Sequence, residues 1–240
     1  MITMEKPNYG SFINYAHRGA SEYMPENTLL SFYTGVSMGA NGIETDVRRT
    51  KDGTLVLFHD ADLSRVCGEK GGVCDYDLKE LKEFFVFKNS FKDKIVTLED
   101  FLQRFSFMDL TFAVELKVAG VGKETIELLK KYGAAEKTVI TSFEFDYLKE
   151  TAGAEKIKIG WLLETVNEEK LALLKSIGGT EICPNAEILT KEKIKTWHDA
   201  GFTVRAWGVS DQALMLNVLE TGVNGMTVNF PDKLTEKFLR

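Results

Sequence analysis

The sequence predicts an α/β fold in which eight strand–helix units close into a parallel barrel. Three observations carry this. Eight short apolar, β-branched runs fall at residues 12–17, 42–47, 111–117, 138–142, 158–163, 181–184, 203–209 and 225–229. The longer segments between them place apolar residues at helical spacing. The 240 residues give each unit about 30 residues, the length a barrel repeat needs. Strand–helix alternation favours parallel pairing through crossover helices, so the (β/α)8 TIM barrel is the expected architecture. A doubly wound open sheet fits less well, because its glycine-rich dinucleotide turn is missing. Only 4 prolines occur and the 20 glycines are dispersed. No linker is therefore visible, and residues 1–240 read as one domain.

The elements follow in order. After the first strand, Asn27 is placed to cap a helix over residues 28–38, whose Leu29, Phe32, Tyr33 and Val36 share a face. The second strand runs on through Arg48-Arg49-Thr50 into Lys51-Asp52-Gly53 and a further β-rich run at 54–58. An Asp-Gly pair between two such runs is a hairpin signal, so 54–58 is expected to return as a strand above the barrel mouth. Residues 61–95, rich in charge and carrying Gly68, Gly71 and Gly72, form an excursion. Together these make an insertion over approximately 48–95, and one this long in a compact domain is usually functional. Thr97 and Asp100 resemble a capping box for a helix carrying Leu98, Phe101, Leu102 and Phe105. A helix over 123–132 ends at Gly133, a fitting left-handed residue. Asn167, Thr190 and Ser210 are placed to cap three later helices, and Pro231 to open the last.

Composition excludes several function classes. The three cysteines, Cys67, Cys74 and Cys183, form no CxxC pair and are odd in number, which argues against a disulfide scaffold and against zinc. Lysine and arginine total 30 against 36 acidic residues, a net charge of -6 with no dense basic run, so no nucleic-acid partner is expected. No stretch of eighteen apolar residues exists to span a membrane. Residues 1–14 carry one lysine and no apolar core of a signal peptide, so the expected location is cytoplasmic.

Chemistry is expected where the strands end, at the C-terminal mouth of the barrel. The first strand ends in Tyr15-Ala16-His17-Arg18-Gly19, the second carries Glu44-Thr45-Asp46, the third Glu115-Leu116-Lys117, and the return strand ends at His59-Asp60. Residues i and i+2 share a face of a strand. A carboxylate turned outward under the helices would cost several kcal/mol, roughly, without a partner. Glu44, Asp46 and Glu115 are therefore expected to face the mouth together. Three adjacent carboxylates stay ionised only if a cation joins them, and an all-oxygen donor set suits Mg2+ or Ca2+. Ion pairing with Arg18, Lys117 and Arg48 is the metal-free alternative. With a divalent ion, Arg18 and Lys117 would leave the site one net positive charge, which suits a phosphodiester. Two of the 3 histidines, His17 and His59, fall at the same ends. Their imidazoles suit the removal of a proton from an attacking oxygen and delivery of one to a leaving oxygen. His198, beside Trp197, reads as a surface residue of a helix.

These residues, in this order, resemble the glycerophosphodiester phosphodiesterases: His17-Arg18-Gly19, Pro25-Glu26-Asn27-Thr28, Glu44-x-Asp46, His59-Asp60 with Leu63 and Arg65 after it, and Glu115-x-Lys117. The resemblance runs from about Phe12 to the last helix. It implies a barrel hydrolase that needs a divalent ion and cleaves small glycerophosphodiesters, such as deacylated phospholipids, to glycerol 3-phosphate and an alcohol. It further implies His17 and His59 as the acid–base pair, Glu44, Asp46 and Glu115 as metal ligands, and Arg18 and Lys117 as holders of the phosphate. The hairpin and excursion match the insertion typical of that family. Attack by water, and attack by a neighbouring hydroxyl through a cyclic phosphate, both fit these residues.

The C-terminal strands depart from the family pattern. The family often has Trp-Thr-Val-Asn and Thr-Asp-x-Pro where this chain has Trp207-Gly208-Val209-Ser210 and Val228-Asn229-Phe230-Pro231, which bears on substrate contacts. Trp207 shares a face with Thr203 and Arg205. It either lines a glycerol pocket or packs the top of the barrel. Arg205, one step deeper, needs an anionic partner such as Glu181. Pro25-Glu26-Asn27-Thr28 reads mainly as a helix start, with Glu26 within reach of Arg18. Phe84, Phe85, Phe87 and Phe91 read as a satellite core, or as a patch through which the insertion meets a second copy of the chain or an apolar substrate group. Two other functions compete. One is a lipid phosphodiesterase acting on sphingolipid or inositol lipid head groups, for which no basic or apolar anchor is visible. The other is a non-catalytic phosphoglycerol-binding module, which would have no use for a paired acid and base.

Overall fold

A computed structural model describes residues 7–239; residues 1–6, part of the N-terminal stretch read above for a leader, and residue 240 lie outside it. The chain opens with β1 (Ile13–His17), α1 (Leu29–Ser37) and β2 (Gly42–Arg49). The short β3 (Leu55–Leu57) turns back antiparallel on β2, opposing Leu57 to Val47 and Leu55 to Arg49. The hairpin closes at Gly53, whose φ of +90° lies where a side chain would be strained. The insertion continues through the single-turn helices α2 (Ser64–Cys67) and α3 (Leu78–Leu81) and a ribbon of β4 (Phe85–Lys88) and β5 (Phe91–Lys94). It ends at β6 (Val96–Thr97), which pairs with β3.

Regular alternation then resumes with α4 (Leu98–Phe105), β7 (Thr111–Leu116), α5 (Gly122–Lys131), β8 (Thr138–Ser142), α6 (Phe145–Lys149) and β9 (Lys158–Leu163). It closes with α7 (Glu168–Ser176), β10 (Glu181–Pro184), α8 (Lys191–Asp199), β11 (Thr203–Val209), α9 (Gln212–Leu219), β12 (Gly225–Val228) and α10 (Pro231–Thr235). Strands β1, β2 and β7 to β12 pair in parallel, and β1 bonds both β2 and β12, so the sheet closes on itself as the predicted (β/α)8 barrel. No helix among the described residues is long and apolar enough to cross a membrane.

Parallel strands buried on both faces need apolar residues on the helix side, which is why they stand out as runs. On one half of the barrel Ile43, Val47, Phe112, Val114 and Ile140 pack under Phe32, Phe101, Phe105 and Leu129 of the helices. On the other half Ile159, Ile182, Val204 and Met226 meet Leu174, Ile194, Met215 and Leu234. The insertion has its own core of Val56, Phe58, Leu63, Val66, Leu81, Val86 and Ile95, with Phe84 packed against it. The four insertion phenylalanines therefore divide. Phe84 belongs to the satellite core, Phe85 carries the Lys94 ammonium 3.7 Å above its ring, and Phe87 and Phe91 are exposed.

Most predicted caps form. Thr97 accepts from the Asp100 N–H at 2.9 Å, Asn167 from Lys170 and Thr190 from Lys193. Thr97→Ala is expected to cost about 1 kcal/mol, read as a lower urea midpoint at unchanged m-value. Two caps are shifted by one residue. Helix α1 is capped by Thr28, not Asn27, because Asn27 turns its side chain elsewhere. Helix α9 is capped by Asp211, not Ser210, because the longer carboxylate reaches the Leu214 N–H at 2.9 Å.

Candidate active site

Strand β1 delivers His17 to the mouth and then stops sharply. Arg18 adopts φ +53°, and its N–H donates to both the backbone oxygen and Oε2 of Glu44, at 3.0 and 3.1 Å. Strand β2 places Glu44 and Asp46 on one face, and its register with β7 sets Asp46 opposite Glu115. One carboxylate oxygen from each of Glu44, Asp46 and Glu115 lies within 4.8 Å of the others, and all three residues are buried. The predicted trio thus converges inward.

The electrostatics of the trio are unbalanced. Burial and the neighbouring Asp46 charge raise Glu44 well above the carboxylate range and push Glu115 up to about 7. Asp46 goes the other way: against its own burial, Arg18, His59 and Lys117 hold it ionised. Asp46 Oδ2 lies 3.2 Å from Arg18 Nε and accepts from Asn27 Nδ2 at 2.9 Å. Its Oδ1 is buried with no hydrogen-bond partner. The metal-free alternative accounts for only part of this. Lys117 Nζ is 2.9 Å from Glu115 Oε1, but Arg48 turns away and donates to the His59 carbonyl at 2.8 Å. Among the described residues no Lys or Arg lies within ion-pair distance of Glu44, whose only such neighbour is His17 Nε2 at 3.8 Å. Asp46 Oδ1, buried without a hydrogen bond and 4.0 Å from Lys117 Nζ, lies inside a buried all-carboxylate set whose chemistry fits a divalent cation of the Mg2+ or Ca2+ kind.

Both predicted histidines border this trio, each tied at Nδ1, and His59 at Nε2 as well. His17 Nδ1 is 2.5 Å from Asn229 Oδ1, which also accepts from the Ser21 hydroxyl. His59, two residues past β3, has Nδ1 2.7 Å from Asp60 Oδ1 and receives Lys117 Nζ at Nε2, 3.2 Å away. Burial, then the Arg18 cation, pushes His17 down to about 4, and the same two causes lower His59. His198 lies apart, bonded to Asn224 at 2.9 Å.

A cavity of about 400 Å³ opens beside these groups, with Thr141, Phe143, Leu162, Glu164 and Trp207 on its far wall. Trp207 faces this cavity, edge-on to Phe143 at 4.9 Å, with its indole nitrogen buried and unpartnered. Thr141 Oγ1 is unpartnered as well. Arg205 lies beneath, 2.9 Å from Glu181 as its burial requires.

Sequence reasoning missed several residues of the site. Asn27 donates to Asp46 and accepts from Thr45 Oγ1 at 2.7 Å, and its φ of +56° is one that Asn tolerates better than most residues. Asn229 and the link of Arg65 to Asp60 and Glu26 were the others, and none has a local sequence signal beyond its motif; Glu26 itself reaches Arg18 as expected, at 3.0 Å.

The model of the Glycerophosphoryl diester phosphodiesterase family matches residues 17–233. A glycerophosphodiester phosphodiesterase of Bacillus altitudinis is 31% identical, over 91% of this chain and 95% of the relative. Another, from Caldanaerobacter subterraneus, is 29% identical over 91% of this chain and 94% of the relative. The solved structure of an Oleispira antarctica phosphodiesterase in complex with the product sn-glycerol-3-phosphate superposes with a TM-score of 0.84 at 25% identity, covering 93% of this chain and 95% of that one.

Proposed function

The chain belongs to the glycerophosphoryl diester phosphodiesterase family, and from that premise we propose that it hydrolyses small glycerophosphodiesters to sn-glycerol 3-phosphate and an alcohol. The observation that carries this is the meeting of three buried carboxylates, two imidazoles and two cationic side chains at one mouth. The product held by the Oleispira antarctica phosphodiesterase supports the substrate class. Glu44, Asp46 and Glu115 would hold a divalent cation, Mg2+ or Ca2+, which when bound supplies Lewis-acid polarisation of the phosphoryl oxygen.

The chain's own groups would do the rest. Arg18 has Nε on Asp46 and Nη1 on Glu26, which leaves Nη2 for a phosphate oxygen. Lys117 is placed to move from the carboxylates to the phosphate. His17 and His59 are each tied at Nδ1, and His59 Nε2 also receives Lys117 Nζ; with Lys117 moved to the phosphate, Nε2 of each ring would exchange protons, one ring with the attacking oxygen and the other with the leaving oxygen. The same pair serves water attack and the cyclic-phosphate route. We place the reaction in the cytoplasm, in keeping with three free cysteines.

Trp207 Nε1 and Thr141 Oγ1, buried without partners, would take hydroxyls of the glycerol arm. Trp207→Phe keeps an aromatic ring, though a smaller one, and removes the donor. We expect KM to rise about 2- to 10-fold, the worth of one hydrogen bond, with kcat little changed. An unchanged KM would return Trp207 to a packing role. The function itself is tested by a coupled glycerol 3-phosphate assay over glycerophosphocholine, glycerophosphoethanolamine, glycerophosphoglycerol and glycerophosphoinositol. Release of glycerol 3-phosphate is expected. Binding without release would favour a phosphoglycerol-binding module, and turnover confined to sphingolipid or inositol lipid vesicles would favour a lipid phosphodiesterase.

A further inference from the structure

We propose that Arg65, supplied by the insertion, is a positioning residue of the active site that holds His59 and Arg18 in register through one chain of charged hydrogen bonds. The inference rests on the hydrolase reading above. The chain begins at His59 Nδ1, 2.7 Å from Asp60 Oδ1. The other oxygen of Asp60 accepts from Arg65 Nε at 2.5 Å. Arg65 Nη1 and Nη2 donate to the two oxygens of Glu26 at 2.9 and 2.6 Å. Glu26 Oε1 also accepts from Arg18 Nη1 at 3.0 Å. From Asp60 to Arg18 negative and positive groups alternate, and the two ends of the whole chain are the groups assigned to proton transfer and to phosphate binding.

A lone half-exposed arginine on a carboxylate contributes little to stability. This one differs because its planar fork joins two carboxylates from separate parts of the chain. Asp60 follows β3, and Glu26 lies in the loop before α1. A guanidinium can hold two carboxylates at fixed angles, whereas an ammonium is a point charge that cannot. The Glu26 loop needs such a hold. It is bounded by Arg18 at φ +53° and Asn27 at φ +56°, a conformation that costs free energy for residues with side chains. Arg65 itself is placed by α2, whose Val66 is buried in the insertion core beside Leu63. The insertion therefore acts as a brace: the packing around Arg65 sets the geometry of His59, which the insertion itself carries, and of Arg18 across the mouth.

Loss of the fork frees Asp60 from one side and Glu26 from the other. Arg65→Ala is expected to lower kcat/KM by roughly 10- to 100-fold, through both parameters. Asp60→Asn should lower mainly kcat, and Glu26→Gln should raise mainly KM. Either change added to R65A should then have little further effect. Arg65→Lys should stay impaired, while millimolar guanidinium, but not ammonium at equal ionic strength, should restore R65A toward the wild-type rate. The His59 ring resonance, followed by NMR in unliganded protein, should shift in R65A and return with guanidinium. R65A with wild-type kcat and KM, or with a loss that guanidinium leaves untouched and an unshifted His59 resonance, would overturn the proposal. Absence of glycerol 3-phosphate release by the wild type would instead count against the hydrolase reading, and the His59 resonance would still decide the brace.

Discussion

Alanine at His17 is expected to lower kcat for glycerophosphodiester cleavage by about 10²–10⁴-fold, and alanine at His59 to do the same, because on the proposed mechanism each removes a positioned proton carrier. The expectation follows from how the rings are held. Asn229 and Asp60 fix each imidazole through Nδ1, so neither ring needs to be ordered at the moment of reaction. On the proposed mechanism the substrate's charge is held by Arg18 and Lys117, so KM should change far less than kcat. His198→Ala is the control. Its ring is bonded to Asn224 outside the cavity, and its removal should leave kcat within about twofold, as surface substitutions do. Steady-state kinetics on one substrate suffice. A near-native rate in either active-site variant removes that histidine from the acid–base pair.

Chelation gives the second large effect. Dialysis against EDTA is expected to reduce turnover by roughly 10²–10³-fold or more, the scale of losing a main electrostatic stabiliser of the transition state. Mg2+ or Ca2+ should restore it. Glu115→Gln should show a similar loss and need more cation to recover. The reasoning is in the carboxylates. Without a cation, burial and the Asp46 charge drive Glu44 upward and Glu115 to about 7, so the trio takes up protons to stay buried. With a cation the protons are displaced, and recovery should steepen as pH rises through neutrality. Full activity in chelator removes the metal from the mechanism.

Much of this was legible in the sequence because burial on two faces writes itself as apolar runs. The i, i+2 rule placed Glu44 and Asp46 on one face without reference to any neighbour, and the charge on Arg205 demanded an anion that Glu181 supplies. What was not legible depended on distant partners. Asn27 is an equally good helix cap and left-handed residue, and only Asp46 and Thr45, across the fold, decide between the two. Ser210 and Asp211 are adjacent capping residues separated by reach alone. Arg65 and Glu26 are 39 residues apart, and no local pattern pairs them. Trp207 has two equal readings in the sequence, and the cavity it borders and its unpartnered nitrogen, which support the substrate-contact reading, depend on the whole barrel mouth.

The most direct test is an anomalous difference map from crystals of this protein grown with Mn2+, which takes the oxygen ligands that suit Mg2+. One peak is expected, bounded by Glu44, Asp46 and Glu115, with the rings of His17 and His59 beside it. An empty trio in a crystal whose protein still releases glycerol 3-phosphate at full rate would contradict the shared-cation site.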